Sequence, residues 1–230
     1  MKSAYELAME RLQKAVPDAL SRFELIPFWD PDVVTQRDLE EVGAGSHYVQ
    51  MSKAKHLYVL QDTKRLVQRL GLRMVWPIDV DPWWEVPHLA WLKARRLGLA
   101  APFYAAITAA RWERGENVCD PEVIRGLGPQ IGVNGDLLAG ATEDREIRNE
   151  GLECLAAAYH DDIFGVPYFR VGRHRFWGLD RLDEFLDIVL PTLEGRAATS
   201  VNELEPLEGV PVALRSMVGG YDTDTAGGCG

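Results

Sequence analysis

The 230 residues are 47% hydrophobic and 26% charged, with a formal net charge of −10: ample apolar content for a buried core, and the wrong sign for a phosphate backbone. No apolar run approaches the roughly 20 residues that span a bilayer, and the opening Met1-Lys2-Ser3-Ala4-Tyr5-Glu6 puts acid where a signal peptide needs apolar residues. Nucleic acid and membrane are therefore not expected partners, and a cytoplasmic location is expected.

Residues 1–20 read as an amphipathic helix, with Leu7, Leu12, Ala15 and Val16 at helical spacing and Pro17 as its stop. Residues 23–29 (Phe-Glu-Leu-Ile-Pro-Phe-Trp) have strand composition, though Pro27 cannot donate to a ladder and restricts them to an edge or a bulge. A long helix is predicted over 52–70, with Leu57, Leu60, Leu66, Val67 and Leu70 on one face and Gly71 as its C-cap. Residues 72–77 read as a short strand, which closes a βαβ unit with a right-handed crossover.

From 86 to 158 the pattern turns helical. Helices are predicted over 89–97, over 101–114 with Phe103, Ile107 and Ala110 on one stripe, over 121–127 and over 143–159. Strand character returns at 166–171 and 174–177, joined at Gly172 as a hairpin. A last helix over 179–190 carries Leu182, Phe185, Leu186 and Val189. Residues 196–230 hold no convincing element and read as a flexible tail ending Gly227-Gly228-Cys229-Gly230. The tail's Leu204-to-Val210 stretch and Gly219-Gly220 resemble a double-glycine leader of ribosomal peptide precursors.

Three cysteines, Cys119, Cys154 and Cys229, are widely spaced and form neither a Cys-x-x-Cys pair nor a zinc motif. His160-Asp161-Asp162, and Asp79 with Asp81, lack a third ligand at a recognisable spacing, so no metal is expected.

The run from Gly165-Val166-Pro167 through Phe176-Trp177-Gly178-Leu179-Asp180-Arg181 resembles the C-terminal signature of 2-hydroxychromene-2-carboxylate isomerases, DsbA-like oxidoreductases and kappa-class glutathione transferases. Lys55, Tyr58, Asp62, Arg65 and Trp76-Pro77 are similar to that group's second helix and strand, and residues 111–118 to a turn in its helical insertion. The resemblance runs from Phe23 to Val189 and omits the N-terminal helix and the tail. It implies an α/β thioredoxin-like fold with an inserted all-helical domain. The expected division is an N-terminal helix over 1–20, a thioredoxin-like domain over 21–85 plus 160–195, a helical insertion over 86–159, and the tail.

The resemblance also implies a site. Val166 before a cis Pro167 would present main-chain groups to a peptide or glutathione, and Asp180 would hold the γ-glutamyl amine, with Arg181 and Lys55 as further contacts. Two departures modify that expectation. The loop Trp29-Asp30-Pro31-Asp32-Val33-Val34-Thr35 has neither the cysteine pair nor the serine of the group, so disulfide exchange there is excluded. Asp30 and Asp32 stand there instead, as candidate general acid or base if burial raises their pKa. In Asp81-Pro82-Trp83-Trp84-Glu85, Trp84 stands where the isomerases resemble each other in an asparagine, so Trp83 and Trp84 are either packing or an aromatic wall.

The activity expected is an isomerase or a glutathione-transferase-like enzyme on a small, aromatic or thiol-containing substrate, with glutathione as the implied cofactor. The alternative is a redox-inactive accessory protein holding a peptide in the cis-proline groove. Partners expected are a small molecule or peptide and, as a homodimer, a second copy of the chain.

Overall fold

The computed structural model describes residues 4–48, 51–69, 71, 74–77 and 79–194. These fall into two compact units. A helical unit comprises the described residues of 25–47 and 59–163; a hairpin unit comprises those of 4–24, 48–58 and 164–194. This division differs from the one expected: the first helix belongs with the hairpin, and residues 25–47 with the helices. The tail and Leu72-Arg73 lie outside the described residues.

The hairpin unit is built on α1 (Ala4–Ala15), the single turn α2 (Ala19–Arg22), strands β1 (Tyr168–Val171) and β2 (His174–Trp177) and, after other elements, α10 (Leu182–Leu193). The strands pair antiparallel, Phe169 opposite Phe176, through a turn in which Gly172 takes φ 56°, a left-handed value that costs a residue without a Cβ little. Alternation puts Phe169, Val171 and Phe176 on the face that meets α10. There Phe185 gathers three rings, Phe23 at 5.7 Å, Phe169 at 5.2 Å and Phe176 at 6.0 Å between centroids. Ala8, Leu12, Val16 and Ala19 close the core from the other side, while Ala15, expected on the buried stripe, is exposed.

The helical unit contains α3 (Val33–Glu41), α5 (Glu85–Arg96), α6 (Ala100–Glu113), α7 (Pro121–Leu127), α8 (Gly135–Ala139) and α9 (Arg145–His160). The intervening α4 (Lys53–Arg69) has residues in both units; Gly71, φ 63°, follows it as expected of a C-cap glycine, but Leu57 on its expected apolar face is 49% exposed. Capping fixes the starts of several helices: Asp32, Asp120, Asn134 and Asp144 each accept from N–H groups of the first turn. One core gathers Val86, Ala90, Phe103, Ala110, Ile124 and Leu138, and a second gathers Trp29, Leu39, Leu89, Leu92, Ile147 and Leu155. Between α7 and α8 the backbones nearly touch; a Cβ on Gly135 would lie 1.9 Å from the Arg125 carbonyl oxygen.

The strands expected before the insertion are corrected. Residues 24–32 are irregular, and 74–77 carry no strand. Pro27 lacks an N–H, and the Leu25 carbonyl is taken at 3.0 Å by the Arg95 guanidinium rather than by a neighbouring strand. The Val75 N–H goes to the carbonyl of Trp112 near the end of α6, at 2.9 Å. Among the described residues the sheet is the two-stranded hairpin alone.

Candidate functional site

In the helical unit the polar chemistry converges on Asp32, the N-cap of α3. Its Oδ1 accepts from the N–H of Val34 at 3.0 Å and of Thr35 at 2.7 Å. Its Oδ2 accepts the Trp83 indole N–H at 2.9 Å and lies 3.6 Å from the Arg148 guanidinium, which also donates to the Thr35 hydroxyl at 3.3 Å. Burial pulls the Asp32 carboxyl upward, but the Thr35 N–H, the Trp83 indole, the Thr35 hydroxyl and the Arg148 charge outweigh it. The group is held below the ordinary aspartate value. The expectation that burial raises it is therefore reversed. Asp30, by contrast, is exposed.

Glu85, the first residue of α5, is 1% exposed and accepts the main-chain N–H of Asp32 at 2.6 Å. Burial, partly countered by that N–H and reinforced by the Asp32 charge, pushes its carboxyl up. The indole Nε1 of Trp29 is buried beside it without a hydrogen bond of good geometry. Two carboxyls in one place, one held low and one pushed up, can divide base and acid roles between them.

Beneath Trp84 lies an aromatic cluster. His88 stacks on Trp29, 5.0 Å between centroids and 17° between planes, and meets Trp84 edge-on at 6.2 Å. Its Nδ1 faces the Trp84 carbonyl at 2.7 Å, so this nitrogen carries the proton. Burial, with the Arg111 charge adding to it against the carbonyl's pull, brings the imidazole down to about 4. Arg111 itself lies over both Trp84 and Trp112, at 5.0 and 5.1 Å, and grips Asp79 with two bonds of 2.8 and 2.7 Å. Trp84 is thus packing. Trp83, 39% exposed, is the more accessible ring of the pair.

The other expected site residues belong to the hairpin unit. The Val166–Pro167 bond is cis. The Pro167 carbonyl accepts from Gly178 N–H at 2.9 Å, while Val166, 61% exposed, makes no main-chain hydrogen bond with the described residues. Asp180 pairs with Arg181 at 2.8 Å and folds back over Gly178, whose φ of 96° leaves no room for a Cβ beside that carboxylate. Among the described residues it accepts no main-chain bond, so it is not a cap. The Lys55 N–H bonds the Ser52 hydroxyl at 3.3 Å in the first turn of α4. The structure thus brings Asp32 together with Trp83, and Asp180 with Arg181.

Glu85, His88, Arg111 and Arg148 were not singled out by sequence. Glu85 adjoins the tryptophan pair, a local signal; Arg148 stands 113 positions from the Thr35 it bonds, and nothing local marks it.

A glutathione thiolate at this helix N-terminus would need the α3 N–H groups, and Asp32 already holds two of them. These residues do not fit it. The chain's own described thiols are not substitutes: burial pushes Cys119 up to about 11 and raises Cys154. Below Trp29 a void of about 10 Å³, lined in part by Leu39, His47 and Tyr159, has room for one water at most.

A helix-rich protein with a small sheet that follows a cis-proline is thioredoxin-like in fold, with a helical insertion. Residues 8–189 match the DSBA-like thioredoxin domain model, and the chain belongs to that family. The match begins at residue 8 rather than at Phe23, in keeping with α1 being part of the hairpin core. A 2-hydroxychromene-2-carboxylate isomerase of Sphingobium xenophagum is 32% identical over 103 residues, which are 45% of this chain and 52% of that protein. The match spans about half the length of that curated relative. A solved structure of a 2-hydroxychromene-2-carboxylate isomerase superposes with a TM-score of 0.61 at 21% identity, covering 84% of this chain and 92% of that one. That likeness establishes shared fold.

Proposed function

We propose that this chain is a thiol-independent isomerase of the DsbA-like family acting on a small aromatic substrate, with Asp32 as the group that moves the substrate's proton. The observation that carries this reading is the ionised Asp32 carboxylate at the N-terminus of α3, bonded to the exposed Trp83. A flat substrate would rest on that indole. The similarity to 2-hydroxychromene-2-carboxylate isomerases supports a substrate of this class.

A 2-hydroxychromene is a cyclic hemiketal. Opening it transfers the hydroxyl proton, forms the C=O bond, breaks the ring C–O bond and leaves a phenol that takes the proton back. Asp32, ionised at the outset, would take the hydroxyl proton as the general base and, being a strong acid once protonated, would hand it on readily to the departing phenolate oxygen. The test is conversion of 2-hydroxychromene-2-carboxylate, followed by ultraviolet absorbance, with Asp32→Asn as the comparison. A loss of about 10²-fold or more is expected of a positioned acid–base group; equal rates, or no conversion by the wild type, overturn the reading.

One observation favours a second reading, in which the hairpin unit holds an extended peptide. Val166, next to Pro167, is exposed and has main-chain groups without partners among the described residues, as strand addition needs. Deleting residues 196–230 and following the amide resonance of Val166 tests whether that peptide is the chain's own tail. An unmoved resonance removes the tail as occupant.

A further inference from the structure

Deepening the reading of Asp32, and resting on it, we propose that Glu85 is the positioning residue that holds Asp32 in register, completing a capping box assembled from two separate helices. In an ordinary capping box the N-cap side chain takes the N–H of the third helical residue, and an acid at that third position reaches back to the N-cap N–H. In α3 the first half is present: Asp32 takes the Thr35 N–H. The second half is missing from the local sequence, because the third position is Thr35, whose hydroxyl accepts from Arg148.

Glu85 supplies it from 53 residues away, its Oε1 on the Asp32 N–H at 2.6 Å. This carboxyl is almost wholly buried, and a buried ionisable group is retained only where its hydrogen bonds are made. Trp83, two residues earlier, holds the other end of the same residue through the Asp32 carboxylate. The segment Trp83–Glu85 therefore grips Asp32 at amide and side chain together, and fixes the direction in which its carboxylate points. The ionisable groups around Glu85 are Asp32 from α3 and the Cys119 thiol. Since the Asp32 charge raises Glu85, the two carboxyls titrate in order, Asp32 first.

The test reads the Asp32 amide of the whole chain by ¹H–¹⁵N NMR as pH is raised. In the wild type this amide is expected to move in two steps, one with its own carboxyl and a second, higher one as Glu85 ionises; in Glu85→Gln the second step vanishes. In Glu85→Leu the Asp32 carboxyl midpoint is expected to rise toward the ordinary aspartate value, with kcat falling at least tenfold and KM little changed. An Asp32 amide blind to the second ionisation, measured in the wild type and so independent of whether any variant folds, overturns the proposal. So does an unmoved Asp32 midpoint in a folded Glu85→Leu protein. Full activity of Asp32→Asn would instead sink the isomerase reading and leave the two-step titration standing.

Discussion

Replacing His88 by phenylalanine isolates what a buried neutral imidazole does to stability as pH falls. The unfolded histidine takes a proton near 6.5, the folded one only at about 4. Between those values the unfolded chain binds more protons, so stability is present above 6.5 and is lost as pH falls toward 4. At 1.36 kcal/mol per pKa unit this displacement is about 3 kcal/mol at the most, since the ring is not wholly shielded. Phenylalanine keeps the stack on Trp29 and forfeits the bond to the Trp84 carbonyl, a pH-independent loss of about 1 kcal/mol. Asp32 and Glu85 also shift with pH, in opposite senses, but they are common to both proteins and cancel in the difference. Urea unfolding at pH 7, 6, 5 and 4 should show the wild type ahead at neutrality and His88→Phe ahead at pH 4. A constant gap over that range, or a His88 Hε1 resonance titrating near 6.5, would refute the argument.

Other consequences are as direct. Phe185→Ala removes the ring on which Phe23, Phe169 and Phe176 converge, and should cost about 3–5 kcal/mol in urea unfolding. Gly135→Ala drives a Cβ into the Arg125 carbonyl, a backbone atom that cannot swing aside, and should lower stability by about 1–3 kcal/mol; an unchanged midpoint would mean that α7 and α8 are less close. In a Cys154→Ser, Cys229→Ser protein at pH 8, Cys119, pushed up to about 11, should be about a thousandth thiolate and label slowly with a disulfide reagent, then fully in urea.

Much of the framework is legible in the sequence because its signals are local. The helix over Pro121–Leu127 has proline at its first position and Asp120 before it, and its bounds are those expected. Leu182, Phe185, Leu186 and Val189 are all buried on α10, as their spacing predicts, although the helix starts at Leu182, after a 3-10 turn. The stretch 23–29 misled for a tertiary reason: Arg95 claims the carbonyl a strand partner would need, and composition cannot register that. Val33–Glu41 went unrecognised because its apolar content is slight, with Thr35 and Leu39 its buried residues. The site divided in the same way. Asp32 and Trp83 stood out in their motifs, whereas Glu85, which takes the Asp32 N–H, and Arg148, whose charge helps to hold the carboxyl low, meet it only after folding.

The Arg111 clamp has a consequence for whatever rests against Trp83. With Asp79 held by two bonds and Trp84 lying under the same guanidinium, the connection into α5 is stapled at both ends, as a bench would be rather than a flap. On the isomerase reading, a substrate arriving there would find its seat already shaped and would surrender little chain entropy on docking.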